Sequence, residues 1–378
     1  MVAKLKVLIA RSILLLLCWM PILLGTEASN ASDDPLINFK TSPLEISPKA
    51  FLPFVKSKPP LLVGIYPDGK IDQSTFDNEL KPLDSWVSGI TDGHSTSIYG
   101  TFIIMDVNKN NASANVELPL TAIWNNGYTP FINLPAPGIA TSFDIAAGKY
   151  DSELRSWAQS FKNYANGGAR FAYIAPLQEM NGYWVTYGLD PGNFILAYRR
   201  IQNIFVQEGV PAQSVRWVFA PNGWSEPGSP RFEDYYPGDA YVNVVAISAY
   251  NWGYCQGAVW EEPETVFNNP ALGTTNGHYL DRLRALAPSK PIFIAETASS
   301  SYRSSGVQDD SEKDRWLKDA YLYLSAQPNV KAVIYFNGNK ECDWAIFKKD
   351  SVQFAGYRTG VIDNGFGYIS PAELLLIR

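Results

Sequence analysis

Histidine is nearly missing from this chain of 378 residues, with only His94 and His278 present. Two histidines disfavour a Ser-His-Asp triad and leave no multi-histidine zinc site. Glycine-rich phosphate loops are absent in both the P-loop and the Rossmann form, so the commonest nucleotide-binding classes drop out. No cofactor is expected. No cluster of Lys and Arg forms a basic face, and the net charge is −6. Nucleic acid is therefore not an expected partner. Cysteine amounts to Cys18, Cys255 and Cys342, too few for a cysteine-rich scaffold.

Uninterrupted apolar runs are short as well. The stretch from about Ile13 to Leu24 falls below the ~20 residues that a membrane-spanning helix needs. Lys4, Lys6 and Arg11 precede it, so it reads as an export signal cleaved after Ala28, with Thr26 at the −3 position. An uncleaved anchor is the alternative, and it alone would tie the protein to a membrane. A secreted or cell-surface location is expected either way. Cleavage removes Cys18 and leaves Cys255 and Cys342 in an oxidising compartment, as a disulfide or as two thiols. Asn30 and Asn111 lie in N-x-S sequons, which matter only in a eukaryotic secretory pathway. Residues 29–60 are rich in Pro, Ser, Asp and Lys and read as a linker. Residues 61–378 read as one domain without internal repeats.

Aromatic residues, by contrast, are plentiful. They make up 13% of the chain, with 11 Trp and 21 Tyr. Flat aromatic faces suit the C–H faces of sugars, although a Trp-rich core gives the same composition. Buried-strand patterns begin at Leu61, Tyr99, Thr129, Phe171, Val215, Tyr241, Pro291 and Lys331. Helical stripes fall between them. One starts at Gln73, one runs Leu118–Trp124 and one Asp151–Tyr164. Another carries Phe194, Tyr198, Ile201 and Phe205 and stops at Gly209 and Pro211. Two more cover Asn276–Ala287 and Ser311–Gln327, the latter with a capping box from Ser311 to Asp314. A last helix starts near Ser370. Eight alternations of strand and helix predict an α/β fold, a single-domain (β/α)8 TIM barrel.

Two of these strands end in carboxylates. Phe171-Ala-Tyr-Ile-Ala-Pro-Leu runs into Gln178, Glu179, Asn181 and Trp184, and Pro291-Ile-Phe-Ile-Ala runs into Glu296. An acid at the end of a buried strand is costly unless it is paired or used. The other strand ends carry Trp224, Tyr250 with Trp252, and Trp344. Barrel active sites occupy this face. His94 precedes a strand and is expected at the opposite face, in a structural role, and His278 is expected on the surface. Two carboxylates among aromatics can cleave a glycosidic bond, one as acid and one as nucleophile or base. Tyr250 can hydrogen-bond the nucleophile. A non-catalytic carbohydrate-binding barrel and a different barrel hydrolase, such as an esterase, are the alternatives.

Four pieces, in order, resemble glycoside hydrolase family 26, best known for β-mannanases. They are Glu179-Met-Asn-Gly-Tyr-Trp184, Tyr235-Tyr-Pro-Gly-Asp239 leading to Tyr250-Asn251, Lys290-Pro-Ile-Phe-Ile-Ala-Glu296, and Tyr335-Phe-Asn337 with Asp343-Trp344. The resemblance covers roughly residues 61–344. It implies Glu179 as acid/base and Glu296 as nucleophile, with net retention at the anomeric carbon. It further implies that Trp184 and Trp344 line the subsites around the cleaved bond and that Tyr250 contacts the nucleophile. Gln178 departs from the family, which usually has His there. Related barrels commonly use Asn at this position to bond the sugar 2-hydroxyl, so an amide is compatible with catalysis. It weakens the inference to mannan, and tolerance of gluco- or xylo-configured backbones is expected.

Overall fold

The computed structural model describes residues 60–301 and 308–376. The expected export signal and nearly all of the expected linker lie outside the described residues. The eight strands are β1 (Leu61–Tyr66), β2 (Ile98–Phe102), β3 (Thr129–Leu134), β4 (Ala172–Pro176), β5 (Val215–Phe219), β6 (Val244–Ser248), β7 (Ile292–Thr297) and β8 (Val330–Phe336). Each pairs in parallel with the next, and β1 pairs with β8 over Leu62–Tyr66. The sheet therefore closes into a (β/α)8 barrel.

Alternation along the strands divides the core in two. Leu62, Phe131, Tyr173, Val218, Val244, Ala246, Phe293 and Ile334 pack together inside the barrel. Their neighbours Val63, Ile65, Ile132, Ile174, Val245, Ile294 and Val333 pack outward under the helices. Period-two side-chain direction explains why these strands read as continuous apolar runs, since both faces are covered. The same parity sends Tyr66 and Asn133, near the ends of β1 and β3, to the inside of the mouth.

Several boundaries differ from the sequence expectation. The second strand ends at Phe102 rather than Met105. The helix read as Leu118–Trp124 begins a turn earlier, with a π-helical segment Ser113–Glu117 leading into Leu118–Asn125. Asp309, not Ser311, caps the helix Asp310–Ser325, because its carboxylate accepts the Glu312 N–H at 3.2 Å. Two late elements carried no recognisable pattern. They are the helix Ala355–Asp363 and the two-residue strand Phe366–Gly367, which adds to β1 at Leu61.

His94 lies before β2, on the side away from the strand ends. Its ring stacks on Tyr368 at 4.6 Å, and its Nδ1 is 3.3 Å from Asp84. Asp84 is buried and also accepts hydrogen bonds from Ser95, the Thr96 N–H and Tyr128. This arrangement joins the C-terminal segment to the bottom of the barrel. His278 is partly exposed beside Asp281.

Candidate active site

The β4 end is an enforced turn. Pro176 closes the strand, and Leu177 and Glu179 adopt left-handed backbone conformations, with φ of 54° and 57°. Such conformations cost roughly 1 kcal/mol or more each in residues with a Cβ, and they persist where surrounding structure holds them. Here the neighbouring strands do so. The Leu177 N–H donates to the Leu134 carbonyl at 3.0 Å, and the Glu179 N–H donates to the Ala220 carbonyl at 2.8 Å. The result lifts the Glu179 side chain into the mouth. Asn222 Nδ2 donates to its Oε1 at 2.8 Å, and Trp184 Nε1 donates to its Oε2 at 2.9 Å.

Glu296 is aimed differently. Inward Phe293 and Ala295 would send residue 296 outward by simple alternation. The pairing of β7 with β8 slips between Ile294 and Thr297, and that of β6 with β7 slips so that Ser248 faces Glu296. A bulge re-aims a side chain in this way. Glu296 is only 6% exposed. Asn133 Nδ2 donates to its Oε1, and the Tyr250 hydroxyl donates to its Oε2 at 2.7 Å.

Burial pushes the Glu296 carboxyl up to about 8, and the charge of Glu179 adds to the rise. The hydrogen bonds from Tyr250 and Asn133 and the charge of Lys340 oppose it. A nearby carboxylate charge of this kind disfavours ionising a buried acid. Both carboxylates also raise the hydroxyls of Tyr66, Tyr187 and Tyr250, after the larger effect of burial. These three phenols stay neutral; the Tyr187 hydroxyl donates to the Gln178 carbonyl and the Tyr250 hydroxyl to Glu296. The strand ends bring the two acids to one mouth: Asn222, which holds Glu179, bridges to Ser248, and Ser248 pairs with Glu296.

Aromatic walls flank the pair. Trp184 and Trp224 stack with ring centroids 6.4 Å apart and keep 43% and 40% of their surface exposed. They stand on the Glu179 side. Tyr250, Trp252 and Trp344 form a second cluster beside Glu296, with centroids 5.1 to 6.3 Å apart. Trp344, expected to line a subsite, is buried at 1% exposure with its ring against Tyr250 and Trp252.

Asn181 also differs from expectation. Its Nδ2 donates to the carbonyls of Asn222 and Trp224 and to Ser225 Oγ, and its Oδ1 accepts the Asn222 N–H. The amide is fully engaged in joining the β4 and β5 loops, so it is a brace rather than a substrate contact. Through that brace it positions Asn222, which holds Glu179. Gln178 is buried, and its Oε1 has no hydrogen-bond partner. Its backbone carbonyl accepts from Tyr187.

Asn133, Asn222 and Tyr66 are site residues that the sequence reading passed over. Asn133 carried a usable signal, a polar residue near the end of the apolar strand Thr129–Leu134, of the kind that marked both glutamates.

Cys255 and Cys342 form a disulfide, with Cα atoms 6.1 Å apart. It ties the loop after β6 to the loop after β8, beside Trp252 and Trp344. Tyr254 and Gln256, on either side of Cys255, are both left-handed. Among the described residues no group of His, Cys, Asp and Glu is arranged to hold a metal ion. No helix among them is long and apolar enough to cross a membrane.

Residues 144–295 match the model of glycosyl hydrolase family 26. Endoglucanase H of Acetivibrio thermocellus is 31% identical over 262 residues, which are 66% of this chain and 26% of that protein. The mannan endo-1,4-beta-mannosidase of Bacillus subtilis is 24% identical over 159 residues, 39% of this chain and 42% of its own length. The match thus spans about a quarter to two-fifths of these relatives. Among solved structures, the catalytic domain of an endo-beta-1,4-mannanase from Bacillus sp. JAMB-750 superposes with a TM-score of 0.60 at 14% identity, over 84% of this chain and 89% of that one. Bacillus subtilis mannanase man26 gives 0.52 at 18% identity, over 80% and 85%. These likenesses show the barrel fold.

Proposed function

We propose that this chain, a relative of glycosyl hydrolase family 26, is a secreted retaining glycoside hydrolase that cleaves a β-linked polysaccharide. One observation carries the reading. Two carboxylates from strand ends β4 and β7 share an aromatic-walled mouth, and their surroundings differ in the way the reaction requires.

Glu296 is the nucleophile. Both its oxygens accept hydrogen bonds, from Asn133 and Tyr250, which fix its direction and oppose the rise that burial imposes on its carboxyl. Glu179 is half-buried on the side of Trp184 and Trp224, where a leaving sugar and then water can enter. In the first step Glu296 attacks the anomeric carbon. The bond to the leaving oxygen breaks, and that oxygen takes the proton from Glu179. A glycosyl ester on Glu296 results. In the second step Glu179, now a carboxylate, removes a proton from water as the water attacks the same carbon. Glu296 leaves as a carboxylate, and two displacements return the original configuration.

The reading of the substrate is a β-linked glucan, xylan or mannan. Gln178 in place of histidine, and a relative named as an endoglucanase, support a gluco-configured backbone in particular. The expected export signal supports secretion. A reducing-end assay on mixed-linkage glucan, xylan and mannan, with proton NMR of the first product, tests the proposal. The expected result is release of sugar with the β anomer formed first. Initial formation of the α anomer refutes retention, and a clear preference for mannan refutes the gluco-configured reading.

A further inference from the structure

We propose that Tyr66, at the end of β1, donates a hydrogen bond to a ring hydroxyl of the sugar seated on Glu296, and that Asn133 fixes both Tyr66 and Glu296 for that purpose. The inference rests on the glycosidase reading and extends it to a residue outside all four motifs.

The geometry begins with one amide. Asn133 Nδ2 donates to Glu296 Oε1 and, at 3.0 Å, to the Tyr66 hydroxyl oxygen. A primary amide has two N–H groups, and both are used here. The Tyr66 oxygen therefore serves as an acceptor. Its own O–H has no acceptor among the described residues, although the ring is 2% exposed. A buried donor without a partner is costly. Burial and the nearby carboxylates raise the phenol far above its ordinary range, so it keeps its proton at any working pH.

The pocket around the ring is built for it. Gly100 on β2 lies against the phenol, and a Cβ there would stand 2.6 Å from the ring. Phe102 and Phe336 flank the ring at 5.4 and 6.0 Å, and Phe102 is 45% exposed at the mouth. The hydroxyl is one hydrogen-bonded residue away from the nucleophile oxygen. A pyranose held by its anomeric carbon at Glu296 presents the hydroxyls of its neighbouring carbons at that range. A sugar hydroxyl accepting from Tyr66 would remove the donor's deficit.

Asn133 acts through the other two residues and is a positioning residue. Its loss should lower kcat and shift the pH profile, whereas loss of the Tyr66 hydroxyl should weaken sugar binding as well.

The test uses binding and turnover separately. Calorimetric titration of the Glu179→Gln protein and its Tyr66→Phe partner with β-1,4-linked and mixed-linkage gluco-oligosaccharides, and with monodeoxy analogues of them, reads the hydrogen bond directly. Tyr66→Phe is expected to weaken binding of the parent sugar about 5- to 20-fold and to leave the affinity of one deoxy analogue unchanged. Gly100→Ala should weaken binding in the same pattern. An equal loss for every analogue, no loss, or no binding of any sugar overturns the proposal. Hydrolysis by the unmodified protein is measured alongside. Binding with the expected pattern but without hydrolysis leaves the Tyr66 assignment standing and removes the catalytic reading.

Discussion

Replacing Glu296 by Gln should abolish hydrolysis and yet stabilise the folded chain at alkaline pH. Glu296 is raised from its ordinary 4.5 to about 8, chiefly by burial and then by Glu179. The folded chain therefore holds this proton more tightly than the unfolded chain. Below 4.5 both states are protonated and no penalty applies. As pH rises towards 8 the unfolded chain ionises freely while the folded chain resists, so stability falls. Each pH unit in that window is worth about 1.4 kcal/mol, which sets a ceiling of about 5 kcal/mol at pH 8 and above. Water reaching the mouth screens the buried charge and reduces this to an expected ~2–4 kcal/mol. Glutamine has the same shape, carries no charge, and can still meet Asn133 and Tyr250. Urea unfolding of both proteins from pH 4.5 to pH 9 reads the difference. The expected result is near-equal stability at pH 4.5 and a gap in favour of Glu296→Gln that opens towards pH 8. A gap independent of pH, or a less stable variant at pH 8.5, would refute the reasoning.

Other consequences follow from the same geometry. Glu179→Ala should slow polysaccharide hydrolysis by about a hundredfold to ten-thousandfold, while an aryl glycoside with a dinitrophenolate leaving group still forms the ester, seen as a burst of phenolate. Equal losses on both substrates would argue against an acid role. Tyr250→Phe removes a hydrogen bond that holds Glu296 down. The acidic limb of kcat/KM should then move to higher pH, and an unmoved limb would exclude that role. The disulfide closes a loop between residues 87 apart, worth up to about 4–5 kcal/mol by chain entropy. Cys255→Ser with Cys342→Ser should lower the thermal midpoint by several degrees in a melting scan, and an unchanged midpoint would contradict this.

The barrel was legible because closed parallel sheets bury both faces, so each strand leaves an apolar run between helical stripes. The glutamates were legible for a related reason, since a charge ending such a run conflicts with burial. The late helix Ala355–Asp363 was not, because its buried side rests on Gly356, Tyr357, Gly360 and Val361, and two glycines weaken any periodic signal. A Cβ at Gly356 would collide with Asp314 of the helix Asp310–Ser325, and one at Gly360 would stand a tight 3.0 Å from Tyr321, so close approach explains them. Asn181 and Trp344 sat within recognisable motifs, yet sequence gives no direction for a side chain. The chain turns Asn181 into the loop and Trp344 into the core. Asn133 and Tyr66 were hidden by inside–outside parity, which emerges only when the strands close into a ring. The bulge at Glu296 reverses that same parity, and no local pattern in Ile292–Thr297 announces it.

The central claim is that Glu296 forms a covalent bond to the sugar. A 2-deoxy-2-fluoro β-glycoside with a dinitrophenolate leaving group forms the ester quickly and releases it slowly, so the adduct accumulates. Mass spectrometry of the digested protein should find one fluorosugar, carried on the peptide containing Glu296 and missing from the Glu296→Gln protein. A label on another residue, or turnover with no adduct and an inverted product, would contradict the account.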